Sequence, residues 1–279
     1  MNAPTITPLA TLATLADAER DNALARRRFI VLAALVFLAS VLAIHAMHAS
    51  MSSMNELPMP GGWMLSPTWT PMCGRTWLRA AASFVGMWIA MMTAMMLPSF
   101  APLLWRYRSM LRRAGTRRVT HHASAMALGY LCAWTAAGVA SFVLGALFAE
   151  LAMRMPALAR AVPFAGGAIV LLAGALQFSA WKAARLACCR HVASRDALHA
   201  SCVAGLQHGF HCACCCAGLT ATLFVFGVMD LRAMTLVTVA ITAERLASSY
   251  EFVPRAIGVA LVATGCVLIV HAACIEFFA

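Results

Sequence analysis

One stretch of this chain, Gly205 to Met229, concentrates side chains that can bind a soft metal ion. On an α-helix, positions three and four apart share a face. The predicted stripe consists of His208, Cys212, Cys215 and Leu219, with His211 and Cys216 along its flanks. Imidazole and thiolate groups suit Cu(I), zinc and iron–sulfur centres. The stretch therefore predicts a soft-metal site whose core ligands are His208, Cys212, Cys215 and Cys216, with His211 as a further candidate.

Simple packing is the alternative explanation for these cysteines. A single cysteine in an apolar helix packs as a small hydrophobic side chain. Here four cysteines lie within the short segment from Cys212 to Cys216, and two histidines stand beside them. Because an unpaired imidazole is costly in hydrocarbon and usually functional, we favour a metal or redox role for this stretch.

Thioether side chains form a second candidate group, in the apolar segment before Pro98. Met87, Met91 and Met95 recur at a spacing of four and share one helical face, next to Met92 and Met96. Thioethers are soft ligands that select Cu(I), although methionine also fills gaps in apolar packing. The second-choice ligands, or an entry path for the ion, are Met91, Met92, Met95 and Met96.

Histidines and methionines also follow the first apolar run of the chain. They are His45, Met47, His48, Met51 and Met54. This group is a candidate copper-acquiring site at the membrane surface, where the first span ends. The alternative is that these methionines lie at the end of a span without any role in copper binding. Because zinc seldom uses thioethers, functional methionine groups would favour Cu(I) over zinc.

A basic loop contains the last candidate group, Cys188, Cys189 and His191. Neighbouring arginines favour the thiolate form of a cysteine. The group is therefore a candidate site for transferring the metal ion to a recipient on the cytoplasmic face. The alternative is that Cys188 and Cys189 are ordinary reduced thiols.

The composition excludes an ordinary soluble domain. The 279-residue chain is 62% hydrophobic and 11% charged, whereas soluble domains are about 45–50% apolar and about 25% charged. We therefore predict an all-α, polytopic transmembrane bundle. The net charge of +11 does not indicate nucleic-acid binding, because the arginines cluster between apolar runs as the positive-inside rule expects.

Seven apolar runs predict the transmembrane spans. They are residues 29–47, 81–105, 122–148, 163–181, 202–229, 233–246 and 256–275. The sixth run is short for a bilayer that needs about 20 residues, and joining it to the fifth would leave six spans. Residues 1–25 are predicted to form a cytoplasmic tail, and residues 26–279 a single transmembrane domain.

The distribution of basic residues predicts the orientation of the bundle. Most of the 21 Lys and Arg residues fall on one side if the N-terminus is in the cytoplasm. This bias favours a multi-pass protein of a bacterial inner membrane with a cytoplasmic N-terminus.

Charged groups at the ends of spans are expected to lie at the membrane–water interface. Glu244 and Arg245 end the sixth run, and Asp230 precedes it. We expect interfacial salt bridges there, with a proton relay as the alternative. The isolated groups expected to act only in packing or at interfaces are Cys132, Glu150, Cys266, His271 and Cys274.

Five segments carry a resemblance to a known family. They are residues 88–99, the loop from Lys182 to Arg190, residues 205–216, residues 227–230 and the Glu244–Arg245 pair. Over about residues 87–265 the chain resembles a bacterial family of predicted metal-binding integral membrane proteins, domain of unknown function 2182. It departs from that family where Ala217 replaces a tryptophan and Cys214 replaces a glycine. The resemblance implies a metal-binding membrane protein.

These observations favour a membrane protein that binds Cu(I) for metal transport or delivery, with zinc or iron as open alternatives. The expected partners are the lipid bilayer, the metal ion and a metal-chaperone or membrane-complex protein. Two enzymatic alternatives stay open, and no catalytic residue is predicted. One is a membrane thiol–disulfide oxidoreductase, for which Cys73 is the clear outer thiol; the other is a metal- or haem-dependent enzyme using His208, His211 or His122.

Overall fold

The computed structural model describes residues 8–51, 57–69, 76–189, 198–228, 230–246 and 252–278. Within these residues the chain forms eight α-helices, which confirms the predicted all-α bundle. The helices are α1 (Pro8–Met51), α2 (Trp77–Arg113), α3 (Val119–Arg154), α4 (Pro156–Leu176), α5 (Ala180–Cys188), α6 (Leu198–Phe226), α7 (Leu231–Leu246) and α8 (Phe252–Phe278).

Six of the described helices are long and apolar enough to cross a membrane. They are α2, α3, α4, most of α6, most of α8 and the Glu19–Ala49 part of α1. Helix α7 has 16 residues, or about 24 Å at the α-helical rise, which is less than the hydrocarbon thickness of about 30 Å. Gly227, at a φ of 104°, lies between α6 and α7. This left-handed conformation favours glycine and ends α6, so the two are separate helices.

Helix α1 begins at Pro8, within the segment expected to be a tail. Its exposed face is rich in Leu, Ile, Val and Phe, as expected for a lipid-facing helix. On the other side, Arg112 of α2 donates a hydrogen bond to Asn22 at 3.2 Å. The rings of Phe29 and Trp105 lie 5.4 Å apart. These contacts place α1 along α2.

A short hairpin covers one end of the bundle. Strands β1 (Leu57–Met59) and β2 (Trp63–Leu65) pair antiparallel. Trp63 donates its indole N–H to the carbonyl oxygen of Ala159 at 2.9 Å. Trp69 stands beside the rings of Phe84 and Phe224, with centroid distances of 4.9 Å and 6.2 Å. The hairpin and Trp69 thus pack onto α2, α4 and α6.

Glycines fix α6 against α3. A Cβ at Gly205 would lie 2.0 Å from the carbonyl oxygen of Met126, and one at Gly129 would lie 2.1 Å from that of Cys202. Only glycine allows such close backbone approach. Helix α6 also packs against α4, α5 and α7, whereas α2 packs against α1, α3 and α7. Helix α6 therefore lies among α3, α4, α5 and α7, with its backbone in close contact with that of α3.

The region after α4 corrects the sequence interpretation. The predicted fourth span continued to Trp181, with Lys182 opening a basic loop. Instead α4 ends at Leu176, and Ser179 begins a new helix by accepting a hydrogen bond from the backbone N–H of Lys182 at 3.2 Å. Lys182 is buried, because α5 packs its side against α6.

Candidate metal centre

The predicted stripe of α6 is a buried face of the bundle. His208, Cys212 and Cys215 are 5%, 0% and 2% exposed. Cys216, predicted on the flank, is also buried, whereas Cys214 is only partly buried. The helical spacing predicted that His208, Cys212 and Cys215 share one face, and the structure buries that face together with Cys216. They lie near the middle of α6.

Four thiols form a continuous chain of contacts. The Cys215 thiol lies close enough to interact with Cys189, which caps the C-terminal end of α5, and with Cys216, and all three belong to one buried cluster. Cys216 in turn lies close enough to interact with Cys212, in the same buried cluster. The hydroxyl of Tyr130 stands 3.1 Å from the Cys212 sulfur. We call Cys189, Cys215, Cys216 and Cys212, in this order, the thiol chain.

His208 presents an unsatisfied nitrogen beside the thiol chain. Its Nε2 atom is buried and has no hydrogen-bond partner among the described residues. The rings of Phe100 and Tyr130 surround the imidazole, with centroids 6.2 Å and 5.9 Å away. Buried polar atoms normally have a partner, and an exception calls for an explanation such as a bound ion. A metal ion on Nε2 would supply that partner.

The methionines of α2 face the same interior. Met91, Met92, Met95 and Met96 are each 1% exposed. They belong to one contiguous buried cluster with Cys212, Cys215 and Cys216. Met126 of α3 and Met234 of α7, which the sequence did not single out, belong to the same cluster. Soft thioethers from several helices therefore share the buried cluster that contains these thiols.

A buried ion pair adjoins the thiol chain. The Lys182 ammonium lies 3.0 Å from the Glu244 carboxylate, and both side chains are buried. The same ammonium donates to the backbone carbonyl of Cys215 at 2.8 Å. Charges survive in an apolar interior only when paired and hydrogen-bonded. The pair therefore joins α5, α6 and α7 at a candidate ligand.

The expected pairing of Glu244 with an interfacial partner is wrong. Glu244 pairs with Lys182 in the interior, whereas Arg245 donates to the hydroxyl of Ser99 at 2.9 Å. Adjacent helical positions do not face the same way, so the two residues reach different neighbours. The Arg245 guanidinium also acts electrostatically on Cys212 and Cys216.

Asp230 serves the start of α7. Its carboxylate accepts hydrogen bonds from the backbone N–H groups of Arg232 and Ala233 at 2.7 Å and 3.2 Å. This is N-terminal capping, which satisfies backbone donors that the helix leaves free. Among the described residues Asp230 therefore caps a helix rather than forming the expected salt bridge, and the proton-relay alternative stays a prediction.

The remaining candidates lie at the margin of the centre. His211 is partly buried, and its Nδ1 lies 3.2 Å from the Arg185 guanidinium. His45 is exposed, while Met47 is half-buried and packs against the main core. Cys73, Met54 and His191 lie outside the described residues, as do the side chains of Met51 and Cys188.

The candidate ligands do not surround one point. Among the described residues, no group of three or more His, Cys, Asp or Glu side chains is arranged to hold a metal ion. The thiols instead meet in successive pairs along the thiol chain. The geometry therefore offers pairwise soft coordination rather than a closed tetrahedral cage.

Fold and site together define a polytopic membrane-type helical bundle with soft ligands in its interior. A family model described as "PpoB2: Copper chaperone" matches residues 85–268. Because the match covers more than half of the chain, the protein belongs to this copper chaperone family. The match supports the metal-related resemblance seen in the sequence and does not bear on the domain-of-unknown-function name. Comparisons with curated proteins and with solved structures gave no match.

Proposed function

We propose that this membrane copper-handling protein binds Cu(I) within its helical bundle and delivers it to a recipient, by transport through the membrane or by transfer at its surface. The observation that carries the proposal is the thiol chain, which lies in the interior beside the unsatisfied Nε2 of His208. The family match supports copper as the cargo. Delivery and transport share the same binding step.

The core ligands in this proposal are His208, Cys212, Cys215 and Cys216. Their burial keeps water and competing ligands away from the ion. The thioethers of Met91, Met92, Met95 and Met96 serve as secondary ligands or as the entry path. His211 stays peripheral, because the Arg185 guanidinium already lies against its Nδ1.

The arrangement of ligands supports Cu(I) over zinc or iron. Structural zinc takes four ligands in a tetrahedron, whereas a pair of soft sulfur ligands suffices for Cu(I). The described residues offer pairs of thiols rather than a convergent group. Surrounding thioethers favour the same ion, since they select Cu(I).

Several sites in series suit passage of the ion. Conduction requires sites that are weak or multiple enough for an ion to leave. The thioethers of α2 and the thiol chain of α5 and α6 provide such a series. We place the N-terminus in the cytoplasm and the bundle in a bacterial inner membrane, because the arginines of segments 26–28 and 106–118 then face inward.

Metal analysis of protein purified in detergent under reducing conditions tests the proposal. The test variant combines Cys212→Ser, Cys215→Ser and Cys216→Ser. The matched control combines Cys132→Ser, Cys266→Ser and Cys274→Ser, three exposed cysteines. We expect stoichiometric copper in the wild type and the control, and its loss in the test variant.

Other results would change the conclusion in defined ways. Zinc or iron lost from the test variant alone would keep the site and exclude Cu(I) as its ion. Copper retained by the test variant would place the site elsewhere. No metal in any sample, even after loading with Cu(I), would contradict the proposal and make thiol–disulfide exchange with a membrane oxidant the next hypothesis.

A further inference from the structure

We propose that Cys189, at the C-terminal cap of α5, is a further Cu(I) ligand, paired with Cys215 of α6, and that the Lys182–Glu244 ion pair holds it in position. This inference rests on the proposed function and adds a second element to the site. Without α5, every cysteine of the centre would come from α6. With Cys189 included, the site draws on both α5 and α6, and Glu244 of α7 stabilises their arrangement through its ion pair with Lys182.

The first argument is the position of the Cys189 thiol. Cys189 follows the last helical residue of α5 and is 5% exposed. Its thiol lies close enough to interact with that of Cys215, and both belong to one buried cluster. A cytoplasmic loop thiol would face water, whereas this one lies in the core cluster with Cys212 and Cys216. Two neighbouring buried thiols on different elements are a ready pair of soft ligands.

The second argument is the attachment of α5. Lys182 and Cys189 are seven positions apart, two helical turns, so both lie on the side of α5 that faces α6. The Lys182 ammonium reaches the carbonyl of Cys215, and the Cys189 thiol reaches its sulfur. Both attachments of α5 therefore meet at the same residue.

The third argument is the cost of separating these elements. Moving α5 away would leave the Glu244 carboxylate in an apolar interior without its ammonium partner. Leaving one member of a buried pair uncompensated is strongly unfavourable. The ion pair thus holds the backbone of α5 against α6, and with it the sulfur of Cys189. Lys182 and Glu244 act as positioning residues and not as ligands.

A crosslinking experiment tests the placement without copper. The reporter retains Cys189 and Cys215 and carries serine at every other cysteine. The control retains Cys189 and Cys214, since Cys214 lies on α6 but outside the thiol chain. We expect the short thiol crosslinker dibromobimane to bridge the reporter and not the control. Adding Lys182→Met to the reporter should lower the yield. No bridge in the reporter would overturn the placement, and an unchanged yield with Lys182→Met would overturn the role of the ion pair.

A Cu(I) titration tests the ligand role. Cys189→Ser and Cys214→Ser proteins compete with a coloured Cu(I) chelator, and Cys189→Ala repeats the test with a smaller side chain. We expect at least about tenfold weaker binding in both Cys189 variants, on the scale by which even outer-shell partners alter metal affinity. Cys214→Ser should match the wild type.

The outcomes separate this inference from the proposed function. If wild type and Cys189→Ser bind Cu(I) equally while the reporter still crosslinks, Cys189 is a neighbour and not a ligand, and the proposed function stands. If the wild type itself fails to bind Cu(I), the proposed function fails and the ligand role fails with it. The crosslink would then still establish the contact between α5 and α6.

Discussion

Two helix pairs in this bundle meet in opposite ways. Helices α4 and α8 approach through glycines: a Cβ at Gly174 would lie 2.7 Å from the backbone nitrogen of Val262, and one at Gly265 would lie 2.7 Å from that of Leu171. Helices α2 and α6 are instead separated by large side chains, with α3 and α7 packed beside them. The space between α2 and α6 contains the methionines, the thiols and His208.

The difference shows how one bundle combines a rigid frame with an adaptable interior. Backbone contact at glycines leaves no volume for an ion and tolerates no added atoms. Methionine has flexible torsions and a polarizable sulfur, so it can adjust to an occupant. Helix α6 combines both kinds of contact, because Gly205 brings its backbone against α3 while Cys212, Cys215 and Cys216 lie further along the same helix in the buried cluster.

The largest effect on stability is expected at the buried ion pair. Lys182→Met leaves the Glu244 carboxylate buried without its ammonium, which costs roughly 3–5 kcal/mol. The midpoint temperature of thermal unfolding in detergent should be much lower for Lys182→Met than for the wild type. The double variant Lys182→Met/Glu244→Met should recover most of the loss, because it removes both charges. A single variant as stable as the wild type would contradict burial of the pair.

The next largest effect is expected where backbones touch. Gly174→Ala introduces a Cβ that meets the backbone of Val262 and Gly258, 2.7 Å and 2.9 Å away. Overpacking of this kind costs about 1–3 kcal/mol. Gly86→Ala in α2 is the matched control, since its Cβ would meet nothing within 4 Å. If both variants unfold at the same temperature, the contrast between the two helix pairs is wrong.

Methionine replacements separate packing from chemistry in the adaptable region. The double variant Met91→Leu/Met95→Leu conserves volume, so each change should cost less than about 1.5 kcal/mol. It removes two soft sulfur atoms, so loading with Cu(I) should be slower or weaker. Met110→Leu, at an exposed position of the same helix, should leave both stability and loading unchanged. If the double variant loads Cu(I) normally, Met91 and Met95 contribute only to packing.

Lowering the pH is expected to have the smallest effect on the fold but a clear effect on Cu(I) binding. Thiols must lose their protons to bind a metal. The apparent affinity for Cu(I) should therefore fall as the pH is lowered, while the helix content measured by circular dichroism stays constant. A Cu(I) affinity independent of pH would argue against thiolate ligands.

The sequence predicted the parts of this centre that depend on one helix. A spacing of three and four placed His208, Cys212 and Cys215 on one face, and that face is buried. The spacing of the α2 methionines likewise predicted residues of the interior. Both results follow from helical periodicity, which needs no knowledge of neighbouring elements. The assignment of these residues as metal ligands stays a prediction.

The parts that depend on tertiary contacts were not predictable in this way. Lys182 appeared to open a basic loop, because its charge follows an apolar run and other cationic residues come after it. Its burial depends on Glu244, which is 62 positions away in the chain. The contact of Cys189 with Cys215 likewise depends on how α5 folds back onto α6. A cue existed in the acidic residue near the end of α7, since an intramembrane acid implies a buried cationic partner.

The order of contacts in the thiol chain has a kinetic consequence. Cys215 and Cys216 are adjacent in sequence but interact with different neighbours. Cys215 interacts with Cys189, and Cys216 interacts with Cys212. If the thiols bind Cu(I) as proposed, an ion held by one pair has the next sulfur close by, so it would gain a new ligand before releasing an old one. The bare ion would then never enter the apolar interior, where the cost would be several kcal/mol. We expect copper that resists extraction by a chelator and yet moves quickly along the chain, at a rate set by side-chain rotation rather than by separation of helices.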